Sequence, residues 1–127
     1  AIAVYVNPEA RQHEISDVDL RAEALVLLRN NVPKLQLAEL GSDRLSITVS
    51  LDNLRIGDTV IGYHGVFTMV VLREARITAI NKTGNVTVWQ LFYAFAGSPK
   101  EGARSHVSKL LNQFMTQFAA DWLLANP

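Results

Sequence analysis

The sequence contains no cysteine. That absence removes disulfides, thiolate metal sites and a thiol nucleophile together, while leaving the compartment open. Long hydrophobic runs are missing as well. No stretch approaches the ~20 consecutive apolar residues that span a bilayer, so the expectation is a soluble chain without a transmembrane segment. Nor is there an excess of one charge. Twelve basic residues balance twelve acidic ones, so the electrostatic footprint of a phosphate-gripping protein is lacking and a nucleic-acid partner is not expected. Repeats, low-complexity tracts and interdomain linkers are absent too. What is present is 127 residues with 49% hydrophobic composition, enough for one core in a single domain spanning 1–127. The chain opens on Ala1 instead of Met; a cleaved export signal gives such a start, and so does a trimmed product.

The opening "AIAVYVNP" is rich in β-formers and stops at Asn7-Pro8, which predicts a short strand ended by a turn. In "SDVDLRAEALVLLRNNVP" the spacing of Ser16 and Asp19 resembles a capping box. Leu20, Ala24, Leu27 and Leu28 then recur on one helical stripe, and Pro33 ends the run. Arg21, Glu23 and Arg29 fall on the opposite, solvated side. At the other end, "SPKE" predicts a second helix start, with Ser98 as cap, Pro99 at the first position and Glu101 completing the box. Val107, Leu110, Leu111, Phe114, Phe118 and Leu123 follow at helical spacing, with Trp122 off the stripe and Asn126-Pro127 as the stop.

Between the helices the period changes to two. Leu45, Ile47, Val49 and Leu51 alternate with Ser46, Thr48 and Ser50. After "DNLRIGD", read as a loop, positions 59–80 have strand character throughout. A straight strand of that size would be ~70 Å long at ~3.3 Å per residue, so a bend at Gly62 or Gly65 is expected. "NKTGN" reads as a hairpin with Gly84 left-handed, and "VTVWQLFYAF" returns. Closing the loops with Leu51 opposite Thr59 and Ile80 opposite Val86 pairs odd positions with odd. One face then collects Leu45, Ile47, Val49, Ile61, Tyr63, Phe67, Met69, Val71, Ile77, Trp89, Leu91, Tyr93 and Phe95. It is a core face, and the helices are its natural cover. The expected fold is α+β, in the order β-α-β-β-β-α, with two helices packed on one face of an antiparallel sheet.

The even face mixes Ser46, Thr48, His64, Thr68, Glu74, Arg76, Thr78 and Gln90 with Val66, Val70, Leu72, Val88 and Phe92. Those five apolar residues are the candidate interface. Either a loop or the N-terminal strand covers them, or they stand as scattered exposed side chains, or they meet a protein partner or a second copy in a homodimer.

Catalytic signals are weak. His13, His64 and His106 lack the companion ligands of a metal site, and no metal or cofactor is expected. Ser105 and His106 are helix neighbours about 100° apart, outside any G-x-S-x-G frame. Glu9, Glu14, Asp17 and Asp19 suit the positive end of a helix dipole better than paired acid and base roles. "GSPKEG" matches neither phosphate-binding glycine pattern. Asn81-Lys82-Thr83 and Asn85-Val86-Thr87 match the glycosylation triplet, which acts only in a eukaryotic secretory route.

The "LRAEALVLLRNN" helix, the strands carrying "VTVWQ" and the end "FAADWLLANP" together resemble small bacterial domains, often exported, with a Phe-x-x-Asp-aromatic-Leu-x-x-Asn-Pro tail. Here the tail is Phe118, Asp121, Trp122, Leu123, Asn126 and Pro127. The order of elements is also similar to the amino-terminal domain of the periplasmic Tol translocation protein. These resemblances imply a periplasmic or secreted setting and a binding role, with no catalytic residue to carry over; a cytoplasmic setting stays open. Two functional readings follow. The first is a non-enzymatic protein-interaction module, envelope-associated and homo-oligomeric. The second is a small-ligand domain with an aromatic pocket near Tyr63, Trp89 and Tyr93, between helices and sheet.

Overall fold

The computed structural model describes residues 2–33 and 43–125. The elements are β1 (Ile2–Val6), α1 (Pro8–Gln12), α2 (Asp17–Asn31), β2 (Arg44–Ile56), β3 (Thr59–Ile77), β4 (Lys82–Gly97) and α3 (Ala103–Ala125). They build an α+β fold around one four-stranded sheet in the order β1-β2-β3-β4. The two long hairpins are antiparallel, whereas β1 runs parallel to β2. A parallel neighbour needs a crossover longer than a hairpin turn, and the helical segment between β1 and β2 supplies it.

Asn7 ties this crossover to the sheet. Instead of a plain turn, it caps α1: its Oδ1 accepts from the Ala10 amide at 3.2 Å. The same side chain exchanges hydrogen bonds with the Leu51 backbone, donating at 2.8 Å and accepting at 3.1 Å. Ser16 caps α2 as its spacing predicts, accepting from the Asp19 amide at 3.1 Å. Leu20, Ala24 and Leu28 are buried. Glu23 differs from expectation: it receives the Arg104 guanidinium of α3 at 3.0 Å and so joins the two helices.

Burial follows the odd positions of the sheet. Leu45, Ile47, Val49, Leu51, Tyr63, Phe67, Met69, Val71 and Phe95 are all buried. The rings of Phe67 and Phe114 meet edge to face at 5.0 Å, and those of Trp89 and Phe118 at 5.1 Å. The Trp89 indole also donates to Asp121 at 2.8 Å. Phe118 and Asp121 of the tail thereby grip β4, and Trp122 packs against the same core. Leu123 and Leu124 are exposed, and Asn126-Pro127 lie outside the described residues.

Inward of the two bulges the strands pair odd with odd and even with even as expected, but both closing registers differ and the hairpin ends pair odd with even. Leu51 lies opposite Gly65, not Thr59, and Val86 opposite Arg73, not Ile80. "DNLRIGD" is mostly strand, because β2 continues to Ile56 before a two-residue turn at Gly57-Asp58 in which Gly57 takes a φ of 60°. Such a turn pairs odd with even, as in Arg55 with Val60; one extra residue, Ile61, corrects the phase, so that Leu54 meets Gly62. In the second hairpin Leu72 pairs with Thr87 and Val71 with Trp89, leaving Val88 as the extra residue. Its turn places Asn81, not Gly84, in the left-handed region, and Gly84 pairs with Ala75 inside the ladder. Asparagine tolerates that conformation, and Arg76 donates to its side-chain oxygen. Ile61, Ile77 and Tyr93 are exposed, against the expectation of a fully buried odd face. The first two sit at a bulge and a hairpin end, and Tyr93 lies on the edge strand.

Gly62, one of the two expected bend sites, borders the Ile61 bulge, and Gly65 marks a close approach: a Cβ there would lie 2.5 Å from the Ser50 carbonyl oxygen and 2.9 Å from the Phe95 ring. At the last helix, Ser98 starts a separate 3-10 turn, Pro99–Glu101, without a side-chain cap bond. Gly102 at φ 66° then breaks the path, and α3 begins at Ala103.

Because Phe67 is fully buried against Phe114, Phe67→Ala is expected to destabilise the fold by about 3–5 kcal/mol. Leu124→Ala, at an 82% exposed position, should change stability by no more than about 0.5 kcal/mol. Urea unfolding followed by circular dichroism checks both.

Candidate interaction surface

All three helices leave the second face of the sheet open among the described residues. Its rows follow from the ladder. Tyr5, Thr48, Thr68 and Phe92 form one cross-strand row, and Ala3, Ser46, Val70 and Gln90 the next. Ser50, Val66 and Ala94 lie on the far side of the first row. Phe92 is 67% exposed and Val66 42%, Val88 is exposed at its bulge, and Val70 and Leu72 are half-buried. β1 does not cover this patch; it extends the sheet at the edge and adds exposed Tyr5 to the surface. The structure thus brings Val66, Val70, Leu72, Val88 and Phe92 onto one continuous face. The sequence does not place Tyr5 on this face, because its side depends on the β1–β2 register, which no local pattern reveals.

The aromatic trio Tyr63, Trp89 and Tyr93 is not gathered in the same way. Val71, opposite Trp89, stands eight strand positions from Tyr63, about 26 Å along β3. Trp89 is packed on Phe118, Tyr93 is exposed, and Tyr63 is buried at the far end.

Tyr63 organises a polar corner there. Its hydroxyl shares a hydrogen bond of 3.2 Å with His106 Nδ1. His13 stacks at a tilt on its ring with centroids 5.9 Å apart, and His13 Nε2 contacts Asn53 Oδ1 at 2.6 Å. The Asn53 amide donates to Glu9 at 2.6 Å. Gly97 makes the corner possible, since a Cβ there would fall 2.5 Å from the Tyr63 ring carbon Cζ and 2.7 Å from Glu101 Oε2. Burial, and then the nearby Glu101 carboxylate, push the Tyr63 phenol above its ordinary 10.0.

Outside this corner, Glu101, Ser105, His106 and Lys109 line an open groove of about 350 Å3. His106 turns Nδ1 to Tyr63. A second groove of about 300 Å3 lies between β1 and the start of α2, beside Tyr5, Asp17, Val18 and Arg21. Among the described residues there is no cluster of three metal-ligating side chains, and no helix is long and apolar enough to cross a membrane.

A raised phenol favours the protonated form in the folded state. Tyr63 therefore supports the fold below pH 10, and that support is lost as pH rises from 10 through the folded value. The urea midpoint of the native chain should fall over this alkaline range, and Tyr63→Phe should flatten the Tyr63 contribution to the fall. Equal slopes in both proteins would contradict the assignment.

No protein-family model matches the chain, and no curated protein matches it. Among solved structures it is similar to the rare lipoprotein B from Shewanella oneidensis, at 12% identity and a TM-score of 0.36, over 98% of this chain and 91% of that one. A likeness at that level carries no functional inference.

Proposed function

We propose that this chain is a non-enzymatic protein-contact module of the bacterial envelope, working through the helix-free face of its sheet. The observation that carries the reading is Phe92, an aromatic side chain 67% exposed beside Val66 on a face rich in β-branched and aromatic groups. Contiguous apolar surface of this kind is what protein interfaces are built from. The opposite face supports the same reading: its β2 residues and the centre of β3 are buried in one core with α2 and α3. A ligand pocket lined by Tyr63, Trp89 and Tyr93 together is disfavoured by their separation along the strands. The envelope setting rests on the resemblance of the tail Phe118, Asp121, Trp122, Leu123, Asn126 and Pro127 to exported bacterial domains.

A photo-crosslinking side chain at Val66 should give a discrete protein adduct in cells, while one at Gln113, exposed on α3, gives none. Phe92→Asp should reduce the Val66 adduct at least about tenfold while leaving unfolding free energy within about 0.5 kcal/mol. Loss of the adduct only in parallel with unfolding, or no adduct at Val66 at all, overturns the reading.

A further inference from the structure

We propose that the free edge of β4 pairs antiparallel with the same edge of a second copy of this chain, joining two sheets into one. The proposal rests on the protein-contact reading above and names an occupant for its edge.

Among the described residues, the sheet order leaves one side of β4 without a neighbouring strand. An unpaired edge is a row of backbone donors and acceptors ready to take another strand, and proteins guard such edges with shortness, charge, proline or bulges. At the opposite edge, β1 is only five residues long. β4 has sixteen residues, and beyond Lys82 it contains neither a charged residue nor a proline. Its bulge sits at Val88, near the hairpin turn, so pairing with β3 is regular from Trp89 to Gly97. The most apolar half of the strand is thus its least protected.

The side chains of that half point the same way. Tyr93 lies directly across from fully buried Phe67, on the side covered by helices, yet it is 53% exposed. Trp89 and Leu91 on the same side are only half-buried. On the other side stands Phe92. The last helix reaches β4 at Trp89 and Phe95 but leaves Tyr93 between them uncovered, so a strand added at this edge would shelter both sides of β4 at once.

A second copy fits the chemistry of the strand. A two-fold axis perpendicular to the sheet reverses strand direction while keeping helix side with helix side. With the axis at Phe92, Leu91 would face Tyr93 of the second copy, Trp89 would face its Phe95, and Phe92 would face itself. With the axis near Phe92, Lys82 falls past the end of the opposing strand, so no like charges face each other. Zero net charge adds no long-range repulsion.

Sedimentation equilibrium separates the outcomes. The native chain should dimerise; Tyr93→Lys, which sets two cations near the axis, should weaken the dimer about tenfold or more. Val66→Asp, on central β3, should change it by no more than about twofold. Circular dichroism confirms that each variant is folded. The absence of native cysteine allows a second measurement that needs no apolar-to-charged change. Phe92→Cys, at the axis and opposite its own counterpart, should oxidise to a covalent dimer, and Ser50→Cys on β2 should not. A native chain monomeric throughout, equal crosslinking at positions 50 and 92, or dissociation by Val66→Asp but not by Tyr93→Lys would overturn edge pairing. A persisting Val66 photo-adduct in that case would leave the contact reading standing.

Discussion

Phase is the constraint on which this structure depends. A strand presents its side chains alternately to two faces, so a slip of one residue between neighbours would turn an entire hydrophobic set toward water. The Gly57-Asp58 turn creates such a slip, and Ile61 removes it. Without that extra residue, Leu51 would lie opposite exposed His64. Val88 plays the same part in the next hairpin, where it brings Trp89 opposite Val71 and Leu91 opposite Met69. Two small irregularities therefore keep three strands apolar on one side, and only such a side gives α2 and α3 a surface to pack against.

One-sided burial has a functional consequence. The helix-facing layer uses Phe67, Met69, Phe114 and Met115 in a closed core, while the reverse face is left with valines, alanines, threonines and Phe92. The long helix does double work in this arrangement. Phe114 fills the centre, Phe118 and Asp121 hold the Trp89 ring and its N–H, and Arg104 reaches Glu23 on α2. At the opposite end, buried Tyr63 satisfies its hydroxyl through His106, so the polar group does not weaken the apolar layer around it.

Much of the candidate surface was legible in the residues. Alternation in the segment around Phe67 and in "VTVWQLFYAF" assigns Val66, Val70 and Phe92 to the side away from the core, because the period of two is a local property. Tyr5 and the exposed Tyr93 were not legible. Tyr5 depends on β1 joining the sheet in parallel, and Tyr93 on how far α3 reaches over an edge strand; both are matters of placement, not pattern. The aromatic trio illustrates the same limit. Tyr63, Trp89 and Tyr93 share a face in parity but stand apart in space, since parity carries no distance along a strand.

Local sequence writes the four strands, the two long helices and their stripes, the Ser16 cap and the side to which most central β-strand residues turn. Propensity, capping and alternation act over a few neighbouring residues, so these features are written locally. Tertiary structure alone decided the length of the hairpins, the two bulges, the crossover that sets β1 beside β2, and the edge position of β4. Those outcomes arise from competition among distant segments to bury one common face, and no short stretch contains the result.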